Sequence, residues 1–438
     1  MATLSYGWVG GTTASTARFT LRTVDAASVR IVLSASPNLA QPVHGAPQVP
    51  DARGLTKHEL SGLTAATAYH WGVEADGVLL PERGRFRTLP VPGTPSDFTF
   101  CFGGDRIMSS NHVVYDTIRG MDPLQFLFLG DLHYWDVDSP DRAEYDLRNS
   151  QALSTPRYAR LLREVPTVHT WDNHDFTGAN GWSGSVGAAA AQESMRAHGT
   201  FYPLPPTGLY CTWVVGRCRF IMLDTRSGRS NPADPDGASK SLLGAVQKEW
   251  YLDLLNRSTE PVIFVGESIP HRYSAVGGDR WGDYRTEFQE INRFVNTLAL
   301  GRRMVLLSAD MHAIAADDGR NSLIGAMELV GAPLDQSGGG GSTWQVGPIV
   351  PPAGTGQFGR VSVADDGTEI TVTFTGHDHT GAQVATLAKT FAAPSGPPDP
   401  DSTLRTRTAD GWHITPARTG LSWRGTASAR AWQGERWS

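Results

Sequence analysis

Cysteine is nearly missing from this sequence, with three residues in 438. So few thiols over such a length give no disulfide framework. Cys211 and Cys218 flank Gly216 in an apparent hairpin, and two reduced strand residues is the preferred reading over a pair. Also missing is any apolar run of the ~18–20 residues that a membrane-spanning helix needs. No internal repeat is visible. The opening MATLSYGWVGG has neither a basic start nor a continuous apolar core, so no leader is legible. The expectation is a cytoplasmic protein, the alternative being a secreted or periplasmic one whose leader has been removed. A basic surplus is missing too: 38 Lys and Arg against 44 Asp and Glu leave a formal charge of −6 and a pI near 6.1. That balance argues against a general nucleic-acid or anionic-membrane binder and leaves room only for a local basic pocket.

What is present fits a soluble globular chain, 40% hydrophobic and 19% charged, long enough for two or three domains. The segments ARFTLRT, SVRIVLSA, TAYHWGVEA and RGRFRTL alternate partly with period two and are separated by Gly, Pro, Asn and Asp. Residues 1–94 are therefore expected to form a β-sandwich of immunoglobulin or fibronectin type III style. LSGLTAATAYHWGVEADG resembles the late strands of the fibronectin pattern, and LPVPGTPSD at 89–97 reads as a linker.

From Phe98 the pattern changes to short continuous apolar runs with polar ends: FTFCFGGD, FLFLGDLH, TVHTWDNHD, FIMLDTR, PVIFVGES and MVLLSADMH. Such runs suit strands covered on both faces. RYARLLREV, AVQKEWYLDLLNR and TEFQEINRFVNTLA have helical spacing. Strand–helix alternation predicts an α/β domain over 95–395 with a largely parallel sheet, whose ligands collect beyond the carboxyl ends of the strands. Residues 396–438 form a Trp-rich tail, with Trp412, Trp423, Trp432 and Trp437. It is either a lid over the site or an extension on the outer surface. The SGGGGS stretch at 337–342 reads as a flexible loop bordering the site.

Four strand-end clusters carry the chemistry: Gly104-Asp105-Arg106, Gly130-Asp131-Leu132-His133-Tyr134, Trp171-Asp172-Asn173-His174-Asp175 and Ala309-Asp310-Met311-His312. A single Gly-Asp after a strand is usually a turn. The ordered series is a different matter, because a two-metal hydrolase needs a bridging carboxylate and several oxygen or nitrogen ligands around cations about 3.5–4 Å apart. Asp131, in a Gly-Asp turn after a central-looking strand, is the natural bridge.

The series resembles the metallophosphoesterase signature. It looks still more like the alkaline phosphatase D (PhoD-like) family, whose GDxxY, WDDHE, LDTR and GDxH elements resemble GDLHY, WDNHD, LDTR (223–226) and SADMH. GAVQKEWYLDLL resembles that family's Gly-x-x-Gln-x-x-Trp-Leu helix, and the likeness covers most of residues 1–395. It implies a four-layer α/β/β/α metallophosphatase sandwich behind the N-terminal β-sandwich. It also implies hydrolysis of phosphate esters, as a phosphomonoesterase, by a metal-bound hydroxide. A phosphodiesterase or phospholipase D is the close alternative, and a non-catalytic metal-containing binding protein the remote one. The substrate is then a small-molecule phosphate ester.

Carried over, Asp131 bridges both metals, Tyr134 and His312 join it on the first, and Asn173 and Asp310 hold the second. His174 acts as general acid or stabilises the transition state. The family uses Fe(3+) with Ca(2+). Where it often has a cysteine ligand, this chain has Gly104-Asp105, and Cys101 lies earlier in the strand, so Asp105 takes the role and Mn or Zn also fits. Arg106 is placed to grip phosphate, or else forms a surface salt bridge. Arg226 is expected to orient a carboxylate. His271, near Glu267, is a further ligand candidate, and His133 either approaches substrate or faces solvent. Gly376-His377-Asp378-His379 imitates a metal motif, but its place in a predicted hairpin points to exposed strand histidines.

Overall fold

The structure is a computed structural model that describes residues 1–272, 277, 279–341 and 343–393, and the backbone of 404–408 and 411–415. Seven strands come first: β1 (Thr3–Gly10), β2 (Thr16–Val24), β3 (Val29–Ser34), β4 (Val43–His44), β5 (Leu55–Ser61), β6 (Ala68–Ala75) and β7 (Val78–Arg87). They form two antiparallel sheets, ordered β1-β2-β5 and β4-β3-β6-β7. Leu4, Val9, Phe19 and Leu21 of the first sheet share one core with Ile31, Leu33, Trp71 and Val73 of the second. β1 and β5 were not legible in the sequence.

The rest of the chain supplies β8 (Phe98–Gly103), α1 (Val114–Gly120), β9 (Gln125–Leu129), α2 (Arg142–Leu153), α3 (Pro156–Glu164), β10 (Thr167–Thr170), α4 (Asn173–Phe176) and α5 (Ala188–His198). After these come β11 (Cys211–Val215), β12 (Cys218–Met222), α6 (Ala245–Arg257), β13 (Val262–Gly266), α7 (Arg285–Thr297), β14 (Met304–Ser308), β15 (Ile314–Asp317) and β16 (Met327–Gly331). β17 (Val346–Ile349), β18 (Gln357–Asp365), β19 (Glu369–Asp378) and β20 (Gln383–Ala392) complete the body. The backbone ladder of β21 (Leu404–Thr408) and β22 (Gly411–Thr415) lies in the tail, whose expected role over the site falls outside the described side chains.

Two mixed sheets form, ordered β10-β9-β8-β18-β19-β20 and β11-β12-β13-β14-β16-β15-β17. β8, β9 and β10 are parallel to one another, as are β12, β13, β14 and β16. The apolar runs explain this, since all five residues of β9, β13 and β14 are buried. One core lies between the sheets, where Phe100 of β8 meets Phe220 of β12 and Phe264 of β13. A second core joins the outer face of the first sheet to α1, α2, α3 and α5, and a third joins the other sheet to α6 and α7. The result is helix, sheet, sheet, helix. Cys211 and Cys218 are buried free thiols, each opposite a different residue of the β11–β12 hairpin.

The N-terminal sheets are seated on the helical flank. Trp8 Nε1 donates to the Thr167 carbonyl (3.0 Å), Trp71 Nε1 to the Arg163 carbonyl (3.1 Å), and Tyr6 Oη lies 2.9 Å from His198 Nδ1. Tyr6 and Trp8 are fully buried there. Among the described residues, no helix is long and apolar enough to cross a membrane.

Candidate metal centre

Six of the parallel strands end in polar turns on one edge. β8 leads to Asp105, β9 to Asp131, β10 to Asp172 and Asn173, β12 to Asp224 and Arg226, β13 to Ser268, and β14 to Asp310 and His312. The turns are sharp: Asp105, Asp131, Asp310 and His312 adopt φ of 58, 59, 57 and 53°. Left-handed backbone at four neighbouring non-glycine positions costs on the order of 1 kcal/mol or more each and gathers at functional sites. Gly130, at φ 105°, is needed because a Cβ there would stand 2.7 Å from Asp172 Cβ. Packing against Asp172 thus sets the turn that presents Asp131.

Asp105, Asp131 and His312 each offer one ligand atom, all within 4.8 Å of one another. Tyr134 Oη lies 3.2 Å from His312 Nε2, which stands 3.4 Å from Asp105 Oδ1. His312 Nδ1 is 2.8 Å from the Ser337 carbonyl, and Gly339 N–H donates back to the His312 carbonyl at 2.9 Å. The glycine-rich loop therefore borders the site and fixes which histidine nitrogen faces inward. Asn173 opens α4 beside His174, whose backbone N–H donates to Asp131 Oδ1 (3.2 Å). The His174 ring sits 4.0 Å from that of Tyr134, and its Nδ1 is held by Asp136.

The electrostatics call for cations. Both oxygens of Asp105 are buried, and His312 Nε2 at 3.4 Å from Oδ1 is the one charged partner beside them, so Oδ2 is left with a desolvation cost that a cation would relieve. Burial first, then the charges of Asp172 and Asp105, hold the Asp131 carboxyl well above the usual carboxylate range, and Asp310 is raised by the same three causes. Burial, the largest single cause, would lower His312, but the charge and hydrogen bond of Asp105, the Ser337 carbonyl and the Asp310 charge together lift the imidazole to about 9. Burial and then Asp131 push the Tyr134 phenol up. Carboxylates, a phenol and an imidazole fit hard or borderline metal ions.

Several sequence expectations end elsewhere. Arg106 is 0% exposed, donates through Nη2 to the Ser110 carbonyl (2.9 Å) and Thr155 Oγ1 (2.7 Å), and lies over the Tyr158 ring at 4.6 Å. A guanidinium so enclosed has no face for phosphate; it braces the flank behind the site. His271 is not in the cluster, because the chain after β13 turns Ser268 toward Asp172 and His271 toward α7. Its Nε2 is 2.7 Å from Asn292 Oδ1, its Nδ1 3.5 Å from Glu267, and its ring packs on Phe288. His133 is buried rather than facing solvent, and burial lowers it to about 3. His377 is also buried, stacked on Phe358, where exposure was expected. Cys101 stays within the core, its thiol pushed up to about 12 by burial. Arg226 does orient a carboxylate: its Nε donates to Asp172 Oδ1 at 2.6 Å, and its Nη1 to Asp279. Asp136 and Asp172 were missed. The first lies in no apolar run, and the second stood beside the more conspicuous Asn173. A groove of about 620 Å³ on the outer face of α7, lined by Arg285, Phe288, Asn292 and Arg293, contains none of the cluster.

A solved structure of PhoD is similar over 98% of this chain and 93% of its own, with a TM-score of 0.70 at 17% identity. The purple acid phosphatase PPD1 from yellow lupin (Lupinus luteus) seeds is similar over 88% and 74%, with a TM-score of 0.63 at 14% identity. At such identities the likeness is one of fold. None of the curated protein sequences compared with the chain matches it. The family model of PhoD-like phosphatases matches residues 101–347, the stretch carrying all four strand-end clusters. The chain belongs to the PhoD-like phosphatase family and is a phosphoric ester hydrolase.

Proposed function

We propose that the protein is a phosphomonoesterase acting at a binuclear metal centre. The observation that carries this reading is the convergence of Asp105, Asp131 and His312, which bring one ligand atom each within 4.8 Å of one another at buried and half-buried positions. Asp105, Asp131, Tyr134 and His312 would hold one cation, and Asp131, Asn173 and Asp310 the other, with Fe(3+) and Ca(2+) as the pair. Bound there, the cations would polarise the phosphoryl oxygens and lower the pKa of a water near the phosphorus.

The protein's own residues supply the rest. Asp131 accepts the His174 backbone N–H and so ties α4 to the ligand turn. Asp136 holds His174 Nδ1, which fixes the ring and leaves Nε2 to give its proton to the leaving alkoxide. Within this reading the chain divides into a fibronectin-like β-sandwich over 1–94, a phosphatase domain over 95–395 and a tail from 396.

Side-by-side turnover of p-nitrophenyl phosphate and bis-p-nitrophenyl phosphate tests the assignment, with the monoester expected to be faster. Faster diester turnover would replace it by a phosphodiesterase. Inactivity of the wild type under Fe, Ca, Mn and Zn supplementation would sink the catalytic reading. Elemental analysis beside a visible spectrum tests the metals, since a tyrosinate–ferric band would identify both Tyr134 and iron.

A further inference from the structure

The two oxygens of Asp172 live in different surroundings. Oδ1 receives Arg226 Nε at 2.6 Å, Arg226 Nη2, and Ser268 Oγ at 3.0 Å. Oδ2 is buried and receives no side-chain donor, the Asp175 backbone N–H at the α4 cap being the one group turned toward the Asp172 carboxylate from that side. An arginine whose task is to neutralise a carboxylate commonly engages both oxygens, one nitrogen to each. Here both nitrogens crowd onto one oxygen and the other has no cationic partner. The residue is 1% exposed, so water does not compensate it from bulk.

The position of that oxygen is fixed from two sides. Asp172 Cβ lies where a Cβ on Gly130 would meet it at 2.7 Å, directly before Asp131. Ser268, which holds Oδ1, accepts the Ala309 N–H at its carbonyl (2.9 Å), directly before Asp310. Asp172 therefore stands between the turns of Asp131 and Asp310 and next to Asn173. We propose that Asp172 is a further ligand of the second cation, through Oδ2, with Arg226 and Ser268 as the positioning residues that aim it. This rests on the binuclear reading above. The set Asp131, Asn173, Asp310 and Asp172 is then all oxygen, which selects a hard divalent cation over a thiophilic one.

Wild-type crystals soaked in CaCl2, and in MnCl2 for anomalous scattering, test this without any variant. A cation within about 2.6 Å of Asp172 Oδ2 is expected; a cation on Asp131 and Asp310 with that oxygen beyond about 4 Å overturns the proposal and leaves the binuclear reading standing. Absence of any cation beside Asp131 would overturn both. In solution, calorimetric titration of the metal-free protein with CaCl2 should show Asp172→Asn binding at least about tenfold more weakly. Ser268→Ala, which keeps the carboxylate and loses only one of its donors, should weaken Ca2+ less than Asp172→Asn does. Wild-type affinity in Asp172→Asn with an intact thermal transition would make the residue a mere partner of Arg226.

Discussion

His174 and Asp136 behave as one unit in this geometry, because the bond at Nδ1 fixes which nitrogen is left to handle a proton. Replacing His174 by Ala is expected to lower kcat by about 10²–10⁴-fold. Metal content by elemental analysis should not change, since His174 reaches the ligand set through its backbone N–H. Asp136→Asn should cost less, and the double variant should be no worse than His174→Ala alone. Multiplying losses would show that the two side chains act separately. Steady-state kinetics on p-nitrophenyl phosphate reads all three. His174 was legible from its strand-end motif. Asp136 was not, because its contact depends on a loop whose φ of 50° at that residue folds it back over α4.

At the scale of strands and turns, the sequence told most where burial is simplest. Every strand predicted from an apolar run ending in a polar turn is present, and AVQKEWYLDLLNR is α6 in full. These segments are covered on both faces, so hydrophobicity alone marks them. β1 escaped notice because Tyr6 and Trp8 are buried against the helical flank while Val9 faces the sandwich core, which erases the two-residue rhythm. β5 escaped because Lys57, His58 and Glu59 look like loop, yet His58 is buried and its imidazole held down to about 4 by that burial. His271 misled because residue type and rough placement say nothing of how the chain turns after β13. The turn after β9 is the element on which the site depends most. Gly130→Ala combines an unfavourable φ with a Cβ 2.7 Å from that of Asp172. It should lower stability by about 1–3 kcal/mol and release metal, read by denaturant unfolding and elemental analysis of the same sample.

The whole molecule is tied together through Tyr6, Trp8 and Trp71, whose hydrogen bonds run from the N-terminal sheets to His198, Thr167 and Arg163. Trp8→Ala should cost about 3–5 kcal/mol and make the loss of activity and of near-ultraviolet circular dichroism fall apart into separate transitions where the wild type shows one. The metal centre puts a second, pH-dependent condition on the whole fold. Without cations, burial and neighbouring carboxylates raise Asp131 and Asp310 above their unfolded value of 3.8, so the native state binds protons that the unfolded chain has released. That contribution is complete below the unfolded value and is lost as pH rises through the raised ones. His312, lifted to about 9 largely by Asp105, acts in the same direction. Buried His58, His133 and His169, held near 4, 3 and 3 by burial, act in the opposite sense, but only below the ordinary histidine range. Between about pH 7 and 9 His312, protonated in the fold and neutral in the unfolded chain, makes stability fall as pH rises, while Lys57, held down to about 8 by burial, opposes it only near the top of that window. Chelator-treated protein should melt at a lower temperature at the upper end of that window. Added Ca2+ or Mn2+ should raise the melting temperature more there than at the lower end, because the cation replaces the missing protons. A metal-free protein equally stable at both ends would mean that His312 does not sit against Asp105 as described.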